Sequence, residues 1–244
     1  MKLKKINPVL QEALIDSGLI EANLLQKETF STIKSGVDAI IASPAYSGKT
    51  ATIVINVIQQ LVCKGEESPR ALIFVEDKAK IREMEELFDK FGKFTNLRVY
   101  GVHEKGDMDY DKNFISAGID VLIGTPTKLN DMFSTAGYNV NRLRMFIIDD
   151  ADKILKLRHE TKIMRISNSI AKTQRLIFTD QITERIELLA DKMLVEPYEF
   201  DFNEYEDEED EEDEDDEDLK EEIYKQQDFD DFEELDEEID NEEE

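Results

Sequence analysis

Residues 37–50 read VDAIIASPAYSGKT, an apolar run, then a turn-forming octet whose last residues open a helix-forming stretch. Val37–Ala42 has no polar alternation, as a strand covered on both faces requires. The Gly48-Lys49-Thr50 triplet at a strand-to-helix turn has a physical use. Backbone N–H groups at the helix start face an anion, the lysine reaches further negative charge, and the threonine hydroxyl can ligate a divalent cation. The pattern G-x-x-x-x-G-K-[ST] is only partly met, because Ser43 stands at its first glycine.

Outward from this stretch, similar apolar runs recur at 70–75 (RALIFV), 120–124 (DVLIG), 144–149 (RMFIID) and 175–179 (RLIFT). Helix-forming segments lie between them: Lys49–Lys64, Asp77–Phe91 and Gln181–Leu194. In the second, Ile81, Met84, Leu87, Phe88 and Phe91 fall on one face. Strand and helix in alternation, with no hairpin signal, predict an α/β domain: a mostly parallel sheet with helices on both faces. In such sheets ligands sit beyond the carboxyl ends of the strands. That directs attention to residues 43–50, 76–80, 124–129, 149–152 and 179–181. The run Met145–Ile148 delivers Asp149-Asp150-Ala151-Asp152 at such an end. A strand presenting a carboxylate there suits a Mg²⁺ held with phosphate; the plainer use of Asp150 or Asp152 is to cap the next helix.

Charge is unevenly spread. Residues 201–244 carry 29 of the 58 acidic side chains and two of the 30 basic ones, a charge of −27 that leaves −1 over residues 1–200. The whole-chain charge of −28 therefore describes a segment and excludes no anionic ligand of the remainder. The composition predicts a folded domain over 1–200 and a disordered acidic tail over 201–244. A single cysteine, Cys63, excludes a disulfide framework. With two histidines it suggests no zinc cluster. No apolar run approaches the roughly 18 residues of a membrane span, so the expectation is a cytoplasmic protein.

The order and spacing of further segments resemble the first, RecA-like domain of DEAD-box RNA helicases. GLIEANLLQ (18–26) is similar to the adenine-reading motif that ends in a glutamine, and leads through Phe30, Gly36 and Asp38 into the phosphate loop. GIDVLIGTPTKL (118–129), IIDDADKIL (147–155) and TQRLIFTDQITERIELLA (173–190) resemble the segments carrying TPGR, DEAD and Ser-Ala-Thr. The resemblance implies ATP and Mg²⁺ as ligands. Gln26 would pair with the adenine edge. Ser47, Gly48, Lys49 and Thr50 would hold the phosphates, and Thr50 with Asp149 the metal. Asp150 takes the place of the glutamate that orients the attacking water. Thr125 and Lys128 would contact RNA phosphates, and Lys78 keeps a positive charge in the corresponding RNA-facing segment.

Departures accompany the likeness. Tyr46 replaces a glycine, which predicts strain or a different loop. EDKAKI (76–81) has lost its cap and threonine, Lys128 replaces an arginine, and Thr179-Asp180-Gln181 puts a carboxylate in the Ser-Ala-Thr segment. Ala22 and Asn23 replace Pro-Thr, and Leu19 an aromatic residue. Family helicases also use arginines from a second RecA-like domain, and residues 201–244 contain none. The expectation is slow turnover and no unwinding alone, with a separate chain supplying the second domain. The competing expectation is a non-catalytic pseudohelicase, a scaffold or regulator. In the tail, Leu219, Ile223, Phe229, Phe232, Leu235 and Ile239 recur at helical spacing. They would suit a protein partner, while the charge itself suits either mimicry of nucleic acid or simple solubility.

Overall fold

The computed structural model describes residues 3–62, 65 and 68–203. Contacts divide the chain into Met1–Phe202 and Asn203–Glu244; of the segment expected to be a tail, Asp201 ends a strand and Phe202 is buried, and the expectations made for it from residue 204 onward lie outside the described residues. In chain order the elements are α1 (Pro8–Asp16), α2 (Leu24–Ser35), β1 (Ala39–Ala42), α3 (Lys49–Leu61), β2 (Ala71–Phe74), α4 (Lys78–Phe91), β3 (Val99–Val102) and α5 (Met108–Ser116). There follow β4 (Val121–Gly124), α6 (Pro126–Ser134), β5 (Met145–Ile148), α7 (Ala151–Lys156), α8 (Glu160–Ser167), β6 (Gln174–Thr179), α9 (Glu184–Met193) and β7 (Tyr198–Asp201).

The described residues form one seven-stranded sheet of order β3-β4-β2-β5-β6-β1-β7, and every pairing is parallel. The five strands read from apolar runs are its interior. The two the sequence did not mark, β3 and β7, are its edges. Apart from the buried Val102 their side chains are partly covered or exposed, and the residues YEFD of β7 alternate charge with aromatic rings, so neither shows a continuous apolar run.

Successive strand residues feed opposite cores. Ile41, Ile73, Ile123, Ile147 and Phe178 pack under Leu14, Phe30, Ile53, Met84 and Phe88 from α1–α4. Ile40, Leu72, Leu122, Phe146 and Ile177 pack under Ile115, Leu129, Ile154, Ile163 and Leu189 from α5–α9. At roughly 1.5–3 kcal/mol per buried aliphatic or aromatic side chain, these two layers are the main source of stability. Local signals start and stop the helices. Asn23 caps α2 and Asp107 caps α5, while Gly36 ends α2 at φ 85°. The cap expected to be lost from residues 76–81 is supplied by Asp77, whose side chain accepts from the Lys80 N–H at 2.9 Å. Among the described residues no helix is long and apolar enough to cross a membrane.

Candidate functional site

Sheet order brings four non-consecutive segments together. β2, β5, β6 and β1 are neighbours in that sequence, and their carboxyl ends carry Lys80, Asp149–Asp150, Asp180 and the 43–50 loop. The backbone ties these ends. The Ser43 N–H donates to Thr179 O, and the Asp149 N–H to Phe74 O.

The loop turns through two left-handed residues, Tyr46 at φ 66° and Gly48 at φ 94°. A tyrosine held there costs on the order of 1–2 kcal/mol, and its ring points wholly into solvent. Of the two outcomes predicted for Tyr46, the loop adopts the strained one. Gly48 is required twice over. Its φ suits glycine, and a Cβ would come 3.0 Å from Asn23 Nδ2. Asn23 fastens loop to helix, its amide donating to Ser47 O at 2.7 Å. It also shares a capping box with Gln26: Asn23 Oδ1 accepts from the Gln26 N–H, and Gln26 Oε1 from the Asn23 N–H. Gln26 is thus buried beside Gly48. Asn23, noted in the sequence only as a departure, is what holds the two motifs together.

Lys49 is buried, and all three of its N–H bonds are used. It donates to Ser43 O at 2.5 Å, Pro44 O at 2.8 Å and Asp180 Oδ1 at 2.7 Å. Burial would raise the Asp180 carboxyl, but the hydrogen bond and charge of Lys49, with Lys153 and Lys156, hold it below the usual carboxylate range. Asp180 is itself anchored. Its N–H donates to Asp152 Oδ1, as does the Thr179 hydroxyl, both at 3.4 Å.

Thr50 Oγ1 donates to Asp149 Oδ2 at 3.2 Å, and Asp149 Oδ1 is buried with no hydrogen-bond partner. Mg²⁺ is bound by one or two such oxygens together with phosphate and water, so this hydroxyl and orphaned carboxylate oxygen fit the ion. Among the described residues no group of three or more His, Cys, Asp or Glu could hold a metal, so phosphate oxygens have to complete the set. For the phosphates, the buried Ser47 Oγ lacks a partner, and no side chain caps the start of α3. Burial, reinforced by Asp150 and opposed by Lys80, pushes the Asp149 carboxyl up to about 6.

Asp150 is left-handed at φ 50°, and although it occupies the N-cap of α7 its side chain makes no cap hydrogen bond. Its Oδ2 instead meets Lys153 Nζ at 3.1 Å and Lys80 Nζ at 3.6 Å. Lys80 Nζ also lies 3.7 Å from Asp149 Oδ2 and 3.3 Å from Glu83 Oε2. Burial by itself lowers a lysine, but the three acids outweigh it and raise Lys80. Sequence reading gave Lys80 no role. Its position in the first turn after β2 was legible, but the adjacency of β2 and β5 was not.

Of the residues expected to meet RNA, Thr125 and Lys128 follow β4, farther along the same sheet end, and Lys78 follows β2. Thr125 Oγ1 donates to Glu104 Oε1 at 2.8 Å, Lys128 is buried on Asp111 Oδ2 at 2.7 Å and on Gly106 O at 2.9 Å, and Lys78 is exposed. Burial and the charge of Lys78 lower nearby His103. The structure thus gathers Gln26, Ser47, Gly48, Lys49, Thr50, Asp149 and Asp150 around one loop, places Thr125 and Lys128 after β4, and leaves Lys78 exposed at the start of α4, two residues before Lys80.

Comparison with known proteins agrees with this geometry. The chain is 23% identical over 172 residues to the ATP-dependent RNA helicase eIF4A of Lodderomyces elongisporus, covering 70% of this chain and 43% of that one. It is 30% identical over 206 residues to the human ATP-dependent DNA helicase DDX31, covering 80% and 23%. The chain therefore spans less than half the length of these relatives. A sequence model described as DEAD/DEAH box helicase matches residues 23–187, well over half of the chain. With that match falling on the loop, the paired aspartates and the sheet that positions them, this chain belongs to the DEAD/DEAH box helicase family.

Proposed function

We propose that this chain binds ATP with Mg²⁺, binds RNA weakly, and by itself turns ATP over little and unwinds nothing. The observation that carries the reading is the buried Lys49 ammonium at the start of α3, beside the Thr50–Asp149 pair. Core packing alone has no use for a lysine, a hydroxyl and an orphaned carboxylate oxygen around a helix start. Gln26 would read the adenine edge, the 47–50 backbone and Lys49 the phosphates, and Thr50 with Asp149 the metal. Bound Mg²⁺ would neutralise phosphate charge and orient the phosphates.

Low turnover follows from the acid at 150. An aspartate reaches one methylene less far than the glutamate it replaces, and this one is engaged by Lys153 and Lys80. Arginines stabilising transferred phosphate contribute roughly 10³–10⁵ in rate. We propose that a separate chain with a second RecA-like domain supplies them here. Lys78, Thr125 and Lys128 would provide the RNA contacts, and the weak affinity follows from Lys128 being buried on Asp111. The scaffold reading is favoured by one observation, the saturation of Lys49 by internal acceptors.

Titration with a fluorescent ATP analogue, with and without Mg²⁺, on wild type and Lys49→Ala separates the two. Binding that is lost with Lys49 supports the nucleotide reading. Absence of binding in wild type leaves the scaffold.

A further inference from the structure

Lys49 and Lys80 at this site each face an internal carboxylate. Lys49 directs one of its three N–H bonds at Asp180, a carboxylate 131 positions away in sequence that is held in place by Asp152. Lys80 sets its ammonium within 4 Å of both Asp149 and Asp150, where a divalent ion would be attracted. Lys49, Lys80 and Lys153 thus each meet a carboxylate of the cluster without a ligand.

We propose that the site carries its own counter-ions: Asp180 occupies the phosphate's place on Lys49, and Lys80 the cation's place beside Asp149 and Asp150. This rests on the nucleotide reading and adds what governs it. A polyphosphate must displace Asp180, and a metal must displace Lys80. Affinity is therefore set by the breakable ion pairs of Lys49 and Lys80 rather than by the loop alone. Lys80 also lets the wild-type site accept nucleotide with little dependence on the metal, because a fixed ammonium already offsets the paired acids. A purely structural pair behaves differently. Its loss lowers stability and leaves ligand affinity where it was.

The experiment is calorimetric titration of the full chain with ADP and ATP, each with and without Mg²⁺, on wild type, D180N, D180A and K80M. D180N keeps the side chain's shape and Met keeps most of the lysine stem, so charge is tested apart from packing, and circular dichroism confirms the fold. Both Asp180 variants should bind about tenfold tighter or more. In K80M, Mg²⁺ should raise affinity about tenfold, against less than about threefold in wild type. Equal or weaker binding by the Asp180 variants overturns the phosphate half while the nucleotide reading stands. A K80M response to Mg²⁺ no larger than wild type overturns the cation half in the same way. Failure of all four folded proteins to bind nucleotide removes the nucleotide reading and this proposal with it.

Discussion

At Tyr46 a bulky side chain at a glycine position predicted either strain or a different loop, and the backbone takes the strained outcome, with φ 66°. Tyr46→Gly should therefore stabilise the protein by up to about 1 kcal/mol, the left-handed penalty less the greater freedom of an unfolded glycine. Urea denaturation checks it through a midpoint that rises with the m-value unchanged. Asp149 offers a second test. Its folded value of about 6 stands above the ordinary 3.8, so the folded state binds that proton more tightly than the unfolded chain. Its contribution to stability is then greatest below the unfolded value and is lost as pH rises through about 6. Asp149→Asn should stabilise the ligand-free protein at pH 7 by on the order of 2–3 kcal/mol and leave little difference from wild type at pH 4. Thermal melts of both proteins between pH 4 and 7.5 measure this. Lys49, Thr50 and Asp149 were legible because each residue type in its local pattern implies a use. Lys80 was not, because nothing local distinguishes it from another helix-surface lysine.

At the scale of elements, legibility followed burial. β1, β2, β4, β5 and β6 are covered on both faces and appear as unbroken apolar runs, whereas β3 and β7 lie at the edges and do not. A polar knot at the opposite end of the strands was equally hidden. Arg70, Arg98 and Asp120 stand immediately before β2, β3 and β4. The buried Asp120 accepts from both guanidinium groups, from the Arg98 N–H and from the Gly65 N–H. Burial would raise its carboxyl, but those donors, led by Arg98, lower it. Asp120→Ala should cost about 3 kcal/mol or more, because two partly buried arginines lose their shared acceptor. Equilibrium unfolding in urea measures the loss, and nucleotide affinity should not move with it, since the knot lies at the end of the sheet away from the loop.

Across the whole molecule, the charge profile produces its own expectation. A segment of −27 adjoins residues of nearly zero net charge in a family with relatives named as RNA helicases. We propose that it competes in cis with nucleic acid. Deleting residues 203–244 should raise RNA affinity, with an advantage that shrinks as salt increases, measured by fluorescence anisotropy on a short single strand from 50 to 200 mM salt. Equal affinity of the two proteins at low salt would remove the idea.

The sequence by itself determined the class of the fold and the interior strands, because short-range apolar pattern dictates those, and the order and spacing of its motifs carried the resemblance to the family. Strand order was decided only in three dimensions. It places β5 between β2 and β6, and β6 beside β1. That order makes Lys80 a neighbour of Asp149 and Asp150, and Asp180 a neighbour of Lys49. Coulombic interaction depends on distance through space and on burial, and neither is written in the spacing along the chain. Residue types pointed to a nucleotide site; the packing of four strands set Lys80 beside Asp149 and Asp150, and Asp180 on Lys49.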